Sequence, residues 1–339
     1  MVFLKRLSKT ERKGQIMKCE FCSEMLRSKD YIDHLKDNHS KEYQEFIEEL
    51  IELNNSGNTI SDMARELSLP KNLINENLNI LMEASGEYKI ENPLNIKNWE
   101  PKDFKMEATT MWSFRQRGNW ATHSGKYRGN WSPYIPRNLI LRYSKEDDVV
   151  LDPFLGSGTS LIETKLLKRK GIGIDINPSA VNLAKENLRF NKNQDYQPDI
   201  YQGDSINLHM IEDESIDLIC AHPPYANIIK YSDNIKGDLS HLEMEDFLVE
   251  ISKVAKELFR VLKTNKYCGI LIGDTRKNKH IVPLGFRVME EFLKAGFVLK
   301  ENIIKEQHNC KATGFWYTRS IEYNFLLIAH EYLFVFRKP

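Results

Sequence analysis

From residue 147 onward the sequence predicts an α/β fold in which a mostly parallel sheet carries helices on both faces. Strand-like and helix-like segments alternate through this stretch, the pattern that parallel strands with crossover helices require. A glycine-bearing loop follows its first apolar strand and opens a helix, an arrangement that leaves backbone N–H groups pointing at a ligand. With 339 residues, 41% of them hydrophobic and 28% charged, the chain has apolar material for about two domains with formed cores.

Taken in order, the pattern predicts strand 149–151, helix 160–168, strand 171–176, helix 179–190 and strand 216–221. Helix 244–262, strand 267–273, helix 285–295 and strands 297–305 and 321–336 follow. Ligands of such sheets sit at the carboxyl ends of the strands, so the loops after Leu151, Ile176 and Ala221 are where chemistry is expected. Ahead of this domain, residues 1–88 are charged short-helix material and residues 89–146 are rich in Trp, Arg, Asn and Gly.

Forty-eight basic residues balance forty-eight acidic ones, so nucleic-acid or anion binding has to come from local clusters of charge. The basic N-terminus lacks an apolar core of signal-peptide length, and the longest apolar stretch, 325–336, is broken by His330 and Glu331. A cytoplasmic chain with no membrane partner is therefore expected. Five cysteines, two of them in a C-x-x-C, fit a reducing compartment better than a disulfide framework.

The glycine loop reads Asp152-Pro153-Phe154-Leu155-Gly156-Ser157-Gly158-Thr159. A Walker phosphate loop is excluded because no Gly-Lys-Ser/Thr follows, and Leu161 stands where a dinucleotide fingerprint needs its third glycine. Asp175, ending the next strand, is placed to accept both ribose hydroxyls of an adenosyl group, which suits NAD and S-adenosylmethionine equally. Asp204 ends a further short apolar segment and is placed to meet an adenine amino group.

The strand at 216–221 runs into His222-Pro223-Pro224-Tyr225. Together with the glycine loop, this tetrad resembles the S-adenosylmethionine-dependent amino-methyltransferases of DNA, whose signatures are Asp-Pro-Phe-x-Gly-Ser-Gly-Thr and Asp, Asn or Ser before Pro-Pro-Tyr. The resemblance covers about residues 130–310. It implies a seven-stranded class I (Rossmann-like) methyltransferase sheet, with Asp152, Phe154, Gly156, Gly158, Thr159, Asp175 and Asp204 around the cofactor. It likewise implies His222, Pro223, Pro224 and Tyr225 around a base of double-stranded DNA rotated out of its stack.

The chemistry accounts for the tetrad. An exocyclic amine is a poor nucleophile because its lone pair is delocalised into the ring, so acceptors must hold its hydrogens and free that pair. The first side chain and the Pro223 carbonyl supply two, the proline ring fixing the backbone φ, while Tyr225 offers a flat face. Histidine departs from the family's pattern at the first position. Only neutral imidazole has an acceptor nitrogen, so the sequence predicts a rate that falls as pH drops through the pKa of His222. A neutral first residue tilts the target toward cytosine N4 over adenine N6. Carbon-5 methylation needs a nucleophilic thiolate, and no Pro-Cys occurs.

Between Trp112 and Arg142 lie Arg115, Arg117, Lys126, Arg128, Arg137 and Arg142, interleaved with six aromatics and no acid, the composition of a nucleic-acid groove. The segment from Trp131 to Pro136 also resembles the family's cover for the methionine part of the cofactor. Further upstream, Cys19-x2-Cys22-x11-His34-x4-His39 matches two-Cys, two-His zinc spacing, with Leu26 and Tyr31 as a small core. Residues 58–74 resemble a helix-turn-helix with Met63, Ala64, Leu67, Leu69 and Ile74 at its packing positions, its second helix presenting Lys71, Asn72, Asn75 and Asn79 to a major groove.

The expected organisation is a zinc finger at 1–42, a helical module at 43–88, a basic aromatic linker at 89–146 that contacts nucleic acid and cofactor, and the catalytic domain at 147–339. Lys230, Asp274 and the run Phe315-Trp316-Tyr317 are secondary candidates for the target-strand side. A cognate restriction endonuclease is a possible partner of such an enzyme. The rival readings are an RNA amino-methyltransferase, disfavoured by major-groove readers, and an inactive DNA-binding regulator.

Overall fold

The computed structural model describes residues 16–19, 21–27, 30–55, 60–67, 69, 74, 77, 93–226, 232, 235–308 and 311–339. They fall into two compact units, Met1–Lys89 and Ile90–Pro339.

In the first unit, β1 (Ile16–Lys18) and β2 (Met25–Arg27) form an antiparallel hairpin followed by α1 (Tyr31–Asn38), α2 (Ser40–Asn55) and α3 (Ile60–Glu66). Cys19 and Tyr31 share one buried cluster with Phe46 and Leu50 of α2 and with Met63, Ala64, Leu67, Leu69 and Ile74. The hairpin and the helices therefore have a common core. Lys71, Asn72, Asn75 and Asn79 lie outside the described residues, as does Lys230.

The second unit contributes β3 (Met111–Ser113), α4 (Tyr134–Tyr143), β4 (Val149–Asp152), α5 (Thr159–Leu166), β5 (Lys170–Asp175), α6 (Pro178–Asn187), β6 (Asp199–Gln202) and β7 (Ile216–Ala221). It continues with α7 (Met244–Val261), β8 (Leu262–Ile272), the hairpin β9 (Thr275–Lys277) and β10 (His280–Val282), α8 (Leu284–Lys294), β11 (Val298–Glu306), α9 (Lys311–Glu322) and β12 (His330–Arg337). Among the described residues the main sheet has eight strands in the order β3-β11-β12-β8-β7-β4-β5-β6. Only β12 runs antiparallel to its neighbours.

Two expectations need correction. The sheet has eight strands rather than seven, because β3 arises inside the stretch read as a linker and pairs in parallel with Ile304–Glu306 of β11. Its signal is a three-residue alternation in which Trp112 is buried between exposed Met111 and Ser113, too short to stand out among arginines and asparagines. The strand expected at 321–336 begins only at His330. Residues 311–322 are helical, and Leu326 is 86% exposed, so the apolar run after Asn324 has no partner strand until His330 meets Glu306.

The sheet's pleat sorts the core. Leu151, Ile219 and Ala221 face Phe247, Ile251 and Leu258 of α7 and Val288 of α8. Val150, Leu218 and Cys220 face Ile135 and Leu139 of α4, which makes Cys220 a packing residue. Strands buried on both faces read as continuous aliphatic runs, which is why 149–151 and 216–221 were legible. The chain passes from β4 outward to β5 and β6 and then returns to β7 on the other side of β4. That reversal opens a crevice at the carboxyl ends of β4 and β7, where the glycine loop and the tetrad emerge.

Candidate active site

Asp152 closes β4 almost completely buried, its Oδ1 accepting from Phe154 N at 3.0 Å and its Oδ2 from the Ser160 hydroxyl at 2.5 Å. Burial pushes this carboxyl up to about 7, against the Ser160 and Phe154 bonds and with help from Asp175. The loop then turns through Gly156 at φ 52° and Gly158 at φ 83°, the left-handed region where a side chain is strained. A Cβ would stand 3.1 Å from the Tyr127 ring at Gly156 and 3.1 Å from Ala184 Cβ at Gly158.

Asp175 braces this turn. Its Oδ2 accepts from Gly156 N at 2.8 Å and its Oδ1 from Asn177 N at 2.9 Å, so each oxygen keeps a lone pair for a ligand. Burial raises its pKa, as it does that of Asp204, whose Oδ1 accepts from Ile206 N at 3.1 Å. Asp152, Phe154, Gly156, Thr159, Asp175 and Asp204 all line one cleft of about 740 Å³. Gly158 shapes the turn as the N-cap of α5.

A second cleft of about 1260 Å³ adjoins the first, and Gly129, Asn130, Trp131 and His222 line both. Tyr225, Lys305, Arg117 and Glu331 are among the polar residues of its wall. The Tyr225 hydroxyl donates to Glu331 Oε1 at 2.8 Å and lies 3.1 Å from His222 Nε2, while Lys305 Nζ donates to Glu331 Oε2 at 2.8 Å. Trp131 stacks on the His222 ring at 5.6 Å and 16°. Burial pulls the imidazole down to about 4, opposed by Glu331 and aided by Lys305 and Arg117. With the pKa lowered this far, the decline expected as pH drops through it falls near pH 4, below the near-neutral range.

The basic aromatic stretch is divided: Arg137 is buried and Arg117 half-buried, whereas Arg115, Lys126, Arg128 and Arg142 are exposed. Trp112 and Trp120 are buried in the packing of the domain, and Trp131, also buried, borders both clefts. Arg137 pairs with Glu163 at 2.8 Å and with Glu100, and Arg117 donates to Asn130 and to the Trp131 carbonyl. Glu163 Oε1 also meets Trp120 Nε1 and His123 Nε2, each at 2.7 Å. These bonds tie the stretch to α5, which is buried at every position. Phe114 and Arg115 still reach the second cleft. Asp274 caps α8 instead, accepting from Gly285 N at 2.9 Å, whereas Phe315 and Tyr317 are exposed on α9.

Four residues were missed by the sequence reading. Asn130 donates to Ser157 Oγ and accepts from Thr159 Oγ1, both at 2.9 Å, holding the glycine loop. Glu163 anchors the stretch before it. Lys305 and Glu331 are cross-strand partners in the β11–β12 register, a juxtaposition that their separation in sequence conceals.

In the N-terminal unit the hairpin and α1 bring Cys19, Cys22, His34 and His39 together, their ligating atoms all within 4.8 Å of one another. Tetrahedral zinc, with bonds of about 2.3 Å to sulfur and about 2.0 Å to nitrogen, needs only a small contraction of this set. His39 Nε2 is buried without a hydrogen-bond partner. His34 Nδ1 lies 3.3 Å from Asn38 Nδ2, leaving Nε2, 3.2 Å from Cys22 Sγ, on the cluster side. Both features fit a metal ion.

A family model described as DNA methylase matches residues 29–186 and 216–339, and one described as an RMKL-like methyltransferase domain matches residues 139–266. Type II methyltransferase M.HpaI of Haemophilus parainfluenzae is 56% identical over 50 residues, 15% of this chain and 16% of that protein. A tRNA (guanine(10)-N2)-dimethyltransferase of Methanothermobacter thermautotrophicus is 32% identical over 123 residues, 36% of this chain and 34% of that one. The matches thus span 16% and 34% of the length of these relatives. Among solved structures, a SAM-dependent methyltransferase of Methanosarcina mazei covers 59% of this chain and 96% of its own at 19% identity and a TM-score of 0.42.

Proposed function

The chain belongs to the DNA methylase family, and on that premise we propose that it moves a methyl group from S-adenosylmethionine to an exocyclic amino group of a DNA base rotated out of the duplex. The observation that carries the reading is the meeting of the two clefts at His222. A cofactor in the first and a base in the second would have their reacting groups on either side of one side chain.

The bound cofactor supplies an electrophilic methyl group on a sulfonium. Asp175 would take the ribose hydroxyls, Asp204 the adenine amino group and Asp152 the methionine ammonium, with Phe154, Gly156 and Thr159 forming the wall and Gly158 the turn. His222 and the Pro223 carbonyl hold the target amine by its hydrogens, Pro224 keeps the backbone direction, and the Tyr225 ring lies against the base. The neutral imidazole favours cytosine N4 over adenine N6. Cys19, Cys22, His34 and His39 would hold one structural zinc ion, and a restriction endonuclease is the partner to be sought.

Methyl-group transfer from radiolabelled S-adenosylmethionine to duplex DNA and to transfer RNA, run side by side, tests this. Labelled DNA is expected. Labelled RNA alone would favour the activity named for the tRNA relative, and no labelled product with either would leave a DNA-binding regulator.

A further inference from the structure

Glu331 lies 106 residues from Tyr225 in sequence, and its carboxylate is enclosed beside it. Lys305 donates to one of its oxygens, and the Tyr225 hydroxyl donates to the other. An ionised carboxylate has only acceptors, and a phenol has one proton. That proton is committed to Glu331, so the contact between the Tyr225 oxygen and His222 Nε2 at 3.1 Å has to be an Nε2–H donating to the hydroxyl. A neutral imidazole protonated on Nε2 carries its lone pair on Nδ1. That atom stands as many bonds from Cα as the Oδ1 of an aspartate or asparagine.

We infer that Lys305, Glu331 and Tyr225 form a relay that fixes the tautomer of His222, making Nδ1 the acceptor that replaces the carboxylate or amide oxygen usual at this position. Lys305 and Glu331 are positioning residues, acting through Tyr225. The same logic as a carboxylate behind a metal-bound histidine applies, where the far hydrogen bond decides which nitrogen is available. The relay rests on the proposed role of His222, but its hydrogen-bond logic can be read without substrate.

The decisive variant is Glu331→Gln, which keeps shape and removes charge. Lys305 then claims the amide oxygen, the amide NH₂ turns to the Tyr225 oxygen, and the hydroxyl proton is released to His222 Nε2, moving the imidazole proton to Nδ1. Nitrogen-15 spectra of histidine-labelled protein, with the His222 signals identified by their loss in His222→Asn, report which nitrogen is protonated. The expected result is Nε2–H in the wild type and Nδ1–H in Glu331→Gln. Methyl transfer should drop about 10–100-fold, the range for losing an orienting partner of this kind, with cofactor affinity unchanged. In Lys305→Met/Glu331→Gln no cation competes for the amide oxygen, so the Nε2–H tautomer and methyl transfer should recover. A wild-type His222 protonated on Nδ1, or a Glu331→Gln variant that keeps the wild-type tautomer, overturns the relay. Absence of methyl transfer by a wild-type protein with the expected tautomer would instead count against the proposed function.

Discussion

Lowering the pH from 8.5 to 5.5 should leave the methyl-transfer step almost unchanged, because the acceptor on His222 is the neutral ring and its pKa is depressed to about 4. The sign follows from that direction: the acceptor is present above the depressed pKa and is lost as pH falls through it. At pH 5.5 such a ring is about 97% neutral, whereas one at the ordinary value near 6.5 would be about 9% neutral. The contrast is between a change of a few per cent and a loss of roughly tenfold. The groups around the ring are Glu331, which favours its charging, and Lys305 and Arg117, which oppose it; the Tyr225 hydroxyl is its hydrogen-bond partner. Burial raises the Asp152 carboxyl to about 7, within the same range, and the role proposed for it is at the cofactor. The assay is therefore single-turnover methyl transfer at saturating cofactor, which isolates chemistry from product release. His222→Asn, whose acceptor never protonates, should give a profile parallel to the wild type above pH 5.5, and His222→Ala should lose most of the rate. A tenfold wild-type decline between pH 7.5 and 5.5 that His222→Asn abolishes would refute the depressed pKa.

Asp175→Ala should weaken S-adenosylmethionine binding by about 1.5–3 kcal/mol, the cost of losing hydrogen bonds to a charged group, and calorimetry showing unchanged affinity would remove it from the site. Protein purified without chelator should carry about one zinc per chain, and Cys22→Ser should lose the metal while binding cofactor normally; elemental analysis finding no metal in the parent protein counts against the cluster. Glu163→Ala leaves His123 and the Trp120 indole without their carboxylate in the interior and Arg137 with Glu100 as its remaining ion-pair partner, so urea denaturation should show a loss of about 3–5 kcal/mol. A loss below 1 kcal/mol would mean that the network contributes little.

The parts of the fold visible in the sequence were those whose signal is local. Buried parallel strands appear as aliphatic runs such as 149–151 and 216–221, and the glycine loop and the tetrad are contiguous, so each can be recognised without knowing what it packs against. The Cys-Cys-His-His spacing was legible for the same reason. What escaped depended on long-range pairing. Strand β3 exists because β11 offers it an edge, and the buried state of Arg137 is decided by Glu163, 26 residues away. A run of arginines and tryptophans reads alike whether it faces phosphates or a carboxylate on a buried helix. The relay behind His222 is the extreme case, since Lys305 and Glu331 meet only through the register of two antiparallel strands.

The most direct test is to digest DNA treated with wild-type protein and S-adenosylmethionine, and in parallel DNA treated with His222→Ala, and to identify the modified nucleosides by mass spectrometry. The expected product is methylated on an exocyclic amine, N4-methylcytosine ahead of N6-methyladenine, and is nearly absent with His222→Ala. A product methylated at cytosine carbon 5, or equal yields from the two proteins, would contradict this.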